Sequence, residues 1–236
     1  MDFAGRSIVI TGVGRVGQVG EAIATAFAER GARVFLVDRQ ESAARERADI
    51  LVAAGRRAAG LGADLTDATA VSALATRVGA ATGGRVHALV HLAGGFAMSG
   101  PVSESDGTLW PKMFAINATT AYLTARAFLP LLRVGRGTIV FFASAAVLPG
   151  ARTAEMSAYA AAKSAVVALM QSIAQEEMTN GVRANAVAPG AIRTAANLAT
   201  MGDGAALISR EDIASIVLLL CSDEARVITG QIIPVR

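Results

Sequence analysis

Ser7-Ile8-Val9-Ile10-Thr11-Gly12-Val13-Gly14-Arg15-Val16-Gly17-Gln18-Val19-Gly20-Glu21-Ala22-Ile23-Ala24 is the stretch on which the reading of this sequence turns. An unbroken β-branched run bounded by glycine reads as a buried strand over 7–11. The apolar spacing from Glu21 onward predicts an amphipathic helix over 21–30, closed by Gly31. Between them, glycines let the chain turn tightly and bring backbone N–H groups against an anion, whose charge a helix N-terminus favours. Gly12, Gly14 and Gly17 spell G-x-G-x-x-G literally, but the helix phase makes Gly20 the glycine that packs helix on strand. Gln18 and Val19 then belong to the phosphate-facing loop. A strand, a glycine loop and a helix in this order open a dinucleotide-binding unit.

Working outward, a second strand over 33–37 ends at Asp38, 26 residues beyond Gly12. An acidic group at that strand tip can accept both ribose hydroxyls and repels a 2′-phosphate, which argues for NAD over NADP. The adjacent Arg39 leaves the choice open, since a guanidinium there can accommodate the phosphate.

Helical and extended runs keep alternating along the rest of the chain. Helices are expected over 39–54, 67–82, 107–133 (with a break near Pro111), 156–180 and 211–221, and strands over 57–63, 86–91, 137–143, 182–188 and 231–235. No linker, repeat or low-complexity tract interrupts the pattern. The expected fold is α/β: a Rossmann-type doubly wound, seven-stranded, mainly parallel sheet with helices on both faces, in one domain over 1–236.

Composition narrows the function. The chain has 236 residues, 53% of them apolar, and a net charge of +3 with both signs dispersed, so no basic tract marks a nucleic-acid surface. No apolar stretch approaches the ~20 residues of a membrane span. The single cysteine, Cys221, lies in an apolar run and fits a buried residue in a reducing, cytoplasmic setting. No metal site is read from the sequence.

Lysine occurs only at positions 112 and 163. Lys163 stands four residues after Tyr159, so on a helix the phenol and the ammonium share a face. A nearby cation lowers a phenol pKa that starts near ~10, giving a general acid/base usable near neutrality. Ser144, fifteen residues upstream of the tyrosine, can hydrogen-bond the oxygen that Tyr159 protonates.

Together these residues resemble the short-chain dehydrogenase/reductase family over essentially the whole chain. The ordered matches are Thr11-Gly12 with Gly20, Asp38, Asp64-Leu65, Ala93-Gly94, Asn117, Ser144, Tyr159 with Lys163, Pro189-Gly190 with Thr194, and Val227 to Gln231. The resemblance implies a nicotinamide cofactor and hydride transfer at a carbonyl or alcohol carbon. It makes Tyr159 the proton donor or acceptor and Lys163 its partner and the holder of the nicotinamide ribose. It makes Ser144 the group that positions the substrate oxygen, and Asn117 the holder of a proton-relaying water. It places Asp64 and Leu65 at the adenine, Ala93 and Gly94 beside the ribose and nicotinamide, and Pro189, Gly190, Ile192 and Thr194 around the carboxamide. It also implies a homo-oligomer, a tetramer or dimer, paired through the helices that carry Asn117 and Tyr159.

The sequence departs from the family pattern at several points. The glycine loop is two residues longer than the commonest form, a length that resembles the divergent enoyl-acyl-carrier reductases. Those place tyrosine seven residues before lysine, and position 156 here is Met, so the spacing favours carbonyl/alcohol chemistry. His91-Leu92 replaces the usual Asn-Asn after the fourth strand, and His91 reads as a structural histidine. Substrate contacts are expected from 95–102, 147–155 and 195–209, offering Phe96, Met98 and Ser99, then Leu148, Arg152 and Glu155, then Leu198 and Met201. Arg152 reads as a solvated residue. The expected activity is NAD-dependent oxidoreduction of a small carbonyl/alcohol substrate such as a 3-oxoacyl compound or a ketone. The alternative is a dinucleotide-sensing module of the same fold without catalysis.

Overall fold

A computed structural model describes residues 1–202 and 207–236, and among them seven parallel strands form one sheet. The strands are β1 (Ser7–Thr11), β2 (Arg33–Asp38), β3 (Arg57–Gly62), β4 (Ala88–His91), β5 (Thr138–Phe142), β6 (Arg183–Pro189) and β7 (Ile232–Val235), in the order β3-β2-β1-β4-β5-β6-β7. Helices α1 (Val19–Glu29), α2 (Glu41–Ala53), α3 (Ala68–Thr82), α4 (Leu109–Met113), α5 (Thr120–Gly135), α6 (Ser157–Glu176), α7 (Ala195–Met201) and α8 (Arg210–Cys221) connect them. This is a Rossmann-like α/β fold.

Strand alternation sorts the core into two layers. Ile8, Ile10, Val34, Leu36 and Val90 face α1 and α8, where Ile23, Phe27, Ile213 and Val217 are fully buried. Val9, Phe35, Val37, Leu89 and Ile139 face the other way onto α3, α5 and α6, meeting Leu74, Phe128 and Met170. Because both faces are covered, the central strands read as continuous apolar runs.

Two expectations about the helices need correction. The long helix expected over 107–133 does not break at Pro111, which occupies the first turn of α4, where its missing N–H has no helical acceptor to lose. It changes instead at a π-helical stretch, Phe114–Thr119, centred on Asn117. The segment 195–209, over which no helix was expected, contains α7, capped by Thr194, whose Oγ1 accepts the Asn197 N–H at 3.2 Å. Residues 203–206 of that segment lie outside the described residues.

Candidate active site

Strand order reverses between β1 and β4, and a cleft of about 680 Å³ opens there at the carboxyl ends of the strands. Gly12, Gly14, Gln18, Val19, Gly20, Asp38, Arg39, Asp64, Leu65, Ala93 and Gly94 all line it. The glycines are required by proximity. Gly12 sits at φ 77°, and a Cβ there would stand 2.9 Å from the Ala93 nitrogen. A Cβ on Gly20 would stand 2.9 Å from the Gly12 carbonyl oxygen, so α1 meets its strand through Gly20, as the helix phase predicts.

A Cβ on Gly14 would lie 2.6 Å from the Asp38 carboxyl carbon. The Asp38 carboxylate accepts the Gly14 N–H at 2.8 Å and the Gln40 N–H at 3.2 Å, joining the glycine loop to the tip of β2. Asp64 holds its own turn by accepting from Thr66, and those hydrogen bonds keep its carboxyl below the ordinary range. Gln18 is the N-cap of α1 and makes no side-chain capping bond, so the helix N-terminus offers its N–H groups to the cleft. The residues present therefore suit a dinucleotide: uncapped N–H groups and Cβ-free backbone for its phosphates, and a carboxylate for its ribose hydroxyls.

Glu21 is a contributor that motif reading missed. Its carboxylate accepts the Gly17 N–H at 2.6 Å and meets Arg47 at 3.4 Å and Arg210 at 3.8 Å, pinning the lengthened loop to α2 and α8. An acidic residue in the first helical turn was the available signal.

His91 supports the neighbouring loop. The Ala93 N–H donates to Thr11 Oγ1 at 3.2 Å, Thr11 Oγ1 lies 3.2 Å from His91 Nδ1, and His91 Nε2 lies 3.3 Å from Thr120 Oγ1. Thr120 Oγ1 in turn donates to the Ile116 carbonyl at 2.9 Å. A neutral imidazole protonated on Nε2 satisfies every member of this chain. Burial, aided by the Lys163 charge, pushes the His91 pKa down to about 3 and keeps the ring neutral. His91 is thus structural, and Thr11 and Thr120 are its partners.

Asn117 is buried in the π turn with both ends of its amide engaged. Nδ2 donates to the Met113 carbonyl at 3.0 Å and to the Gly95 carbonyl at 3.1 Å, and Oδ1 accepts the Gly95 N–H at 3.2 Å. The side chain clamps the loop after β4, and a Cβ on Gly94 would lie 2.5 Å from its Oδ1. Interrupted helical bonding at functional positions is a common use of π turns.

Ser144, Tyr159 and Lys163 converge at the ends of β5 and α6. Lys163 is buried; its Nζ donates to the Phe142 carbonyl at 2.7 Å and lies 6.0 Å from the centre of the Tyr159 ring. Burial lowers its pKa to about 8. The phenol departs from the expectation of a lowered pKa: burial raises it, and the hydrogen bond from Ser144 is the opposing influence. The reason is positional, because the ammonium is drawn to the Phe142 carbonyl. Ser144 Oγ also accepts the Ala146 N–H at 3.2 Å, and Phe96 packs edge-on against Tyr159 with ring centres 5.0 Å apart.

A second cleft, of about 640 Å³, adjoins this group and is lined by Phe96, Ser144, Leu148, Arg152, Tyr159, Pro189, Gly190 and Met201, among others. Arg152 is exposed. Pro189 and Gly190 face this cleft rather than the glycine loop, whereas Ile192 packs against the core and Thr194 is buried as the α7 cap. Ser99 and Glu155 prove to be ties between loops. Glu155, in the left-handed region at φ 63°, accepts the Ser99 and Gly100 N–H groups and the Ser99 hydroxyl on its carbonyl. Met98 is half exposed and is not part of the cleft lining.

Comparison with known proteins follows the same lines. Residues 12–236 match the family model described as enoyl-(acyl carrier protein) reductase. The chain is 37% identical to 2-(S)-hydroxypropyl-CoM dehydrogenase 3 of Xanthobacter autotrophicus, over 94% of this chain and 92% of that protein. It is 30% identical to a 3-oxoacyl-[acyl-carrier-protein] reductase of Salmonella typhimurium, over 100% and 98% of the two chains. The structure of a short-chain type dehydrogenase/reductase from Mycobacterium ulcerans superposes with a TM-score of 0.91 at 29% identity, covering 100% of this chain and 90% of that one.

Proposed function

The chain belongs to the short-chain dehydrogenase/reductase family, oxidoreductases of alcohol and carbonyl groups, and from that premise we propose that it is an NAD-dependent enzyme using Tyr159 as its general acid/base. One observation carries this reading: the Ser144, Tyr159 and Lys163 group reaches from the substrate cleft to Gly94 of the dinucleotide cleft. Ser144 and Tyr159 line the substrate cleft, while the buried Lys163 ammonium stands 3.4 Å from where a Cβ on Gly94, a residue of the dinucleotide cleft, would be.

The residues of the chain would hold the cofactor through the N–H groups around Gly12 to Gly20, through Asp38 at the ribose and through Lys163. Asp64 and Leu65 would flank the adenine, Ala93 and Gly94 the ribose and nicotinamide side, and Pro189, Gly190, Ile192 and Thr194 the carboxamide end. When bound, the nicotinamide supplies or accepts the hydride. In the reducing direction, the phenol that burial keeps protonated gives its proton to the carbonyl oxygen as negative charge develops there, and the Ser144 hydroxyl hydrogen-bonds the same oxygen. In the oxidising direction the phenol must first lose that proton, which burial opposes and the Ser144 hydroxyl favours. Asn117 acts by fixing the loop that carries Gly94 and Gly95. The substrate class is a 3-oxoacyl compound, ketone or secondary alcohol.

The test is a panel of ketones, secondary alcohols and 3-oxoacyl thioesters followed at the nicotinamide absorbance with both cofactors. Tyr159→Phe should lose roughly 10²–10⁴-fold in kcat while binding NADH normally; retained turnover would remove the tyrosine from the mechanism. Tighter NADPH than NADH binding would overturn the NAD assignment. A silent panel with cofactor bound would favour the dinucleotide-sensing module. We further propose a homo-oligomer, because Trp110, Tyr122 and Val134, on α4 and α5, remain half exposed. Sedimentation as a monomer at micromolar concentration would sink that assignment.

A further inference from the structure

We propose that the cleft at the opposite, amino ends of β1, β4, β5 and β6 is a second ligand site that takes a small phosphate-type oxyanion. The cleft holds about 690 Å³, and its wall includes Arg6, His87, Arg136, Thr138, Arg226 and one acid, Asp223. That volume is ample for a phosphorylated small molecule.

Two groups of the wall are left unpaired within the fold, and a third, Arg136, holds a strained position at the end of α5. Thr138 is 1% exposed, and its Oγ1 is buried without a hydrogen-bond partner. A buried hydroxyl left unpaired is unfavourable unless something else satisfies it. His87 Nδ1 accepts the Ser7 N–H at 3.0 Å, which leaves Nε2–H as the donor of the neutral ring, and among the described residues it has no partner. Arg136 ends α5 at φ 47°, a left-handed position that glycine fills without strain. Strained backbone of this kind concentrates at functional positions. The arginine side chain also lies close over Gly181, where a Cβ would meet its Nε at 3.0 Å.

The charges agree. Arg6 is paired with Asp223, and Arg183 is occupied by the carbonyls of Leu220, Ser222 and Ile228. Arg136 and Arg226 make no ion pair or side-chain hydrogen bond among the described residues, so the cleft keeps two unpaired guanidinium groups. Burial, with the charges of Arg6 and Arg85, also holds the His87 pKa below its usual value, as expected of an electropositive site. Guanidinium and imidazole N–H donors on the wall of one cleft, with the unpaired Thr138 hydroxyl buried beneath it, match the many acceptors of a phosphate-type anion.

The experiment is a titration of the full chain with sodium pyrophosphate, reading His87 by imidazole NMR. The chain has two histidines, and His91 is held neutral down to about pH 3, so the other titrating imidazole resonance belongs to His87. Binding is expected to raise the His87 pKa saturably. Arg136→Gly should weaken binding by about tenfold while folding normally, because glycine is at ease at that φ. Thr138→Val, nearly isosteric, should weaken binding too and serves if the first variant folds poorly. A shift no larger than that from sodium chloride at matched ionic strength overturns the proposal, as does unchanged affinity in both variants.

Discussion

In the half of the site around Gly12, Gly14 and Gly20 the wall is close-packed backbone; in the half around Phe96, Leu148 and Met201, the second cleft, it is side chains. A hypothetical Cβ at each of those glycines comes within 2.9 Å of another group, so glycine is the residue that leaves those contacts undisturbed. Met201 and Phe96 are 52% and 59% exposed, and Phe96 keeps one edge-on contact, with Tyr159. The first half suits a ligand whose phosphates are recognised by backbone N–H groups, and under the proposed function the second would take substrates through exchangeable surface. One half can stay constant across a family of reactions while the other varies.

Substitution tests this contrast directly. Gly12→Ala combines a left-handed backbone with a clash against Ala93, and should lower stability by about 2–4 kcal/mol, read as a lower urea midpoint. Met201→Ala should change stability by no more than about 0.5 kcal/mol. Comparable losses from the two would erase the distinction between the halves. Next in size, Asp38→Ala should weaken NADH binding by about tenfold, or 1.4 kcal/mol, and leave NADPH binding unchanged or tighter. If both cofactors weaken alike, Asp38 serves only to brace the Gly14 and Gln40 N–H groups.

The smallest effect concerns the hinge between the halves. His91 has a folded-state pKa of about 3 against an ordinary 6.5, so the unfolded chain binds more protons between those values. Its contribution to stability is complete above pH 6.5 and is lost as the pH falls toward 3. His91→Asn should reduce the fall in Tm between pH 7 and pH 4.5. Equal falls in variant and parent would remove His91 from the acid response.

The legibility of these parts follows their physics. The strand-loop-helix opening was readable because steric exclusion at Gly12, Gly14 and Gly20 admits one residue type at each. The Tyr159 and Lys163 pair was readable because helical periodicity puts them on one face. The pKa of Tyr159 was not, since it depends on burial and on Ser144 in another segment. Ser99 and Glu155 looked like pocket residues and are loop ties, because the meeting of two segments 56 residues apart has no local signature. Nor could Pro111 reveal the π turn, which is held by the Asn117 and Thr120 side chains bonding the carbonyls of Met113 and Ile116.

By itself, the sequence determined the doubly wound sheet, the glycine loop at its first turn and the helix face shared by Tyr159 and Lys163. These rest on short-range sterics and periodicity, which any segment carries in its own residues. Tertiary structure alone decided that His91 is a neutral strut between Thr11 and Thr120, that Glu21 pins the lengthened loop, and that Thr138 and Arg136 meet His87 at the far end of the sheet. Those outcomes depend on burial and on partners distant in the chain, and both come into existence only when the strands assemble.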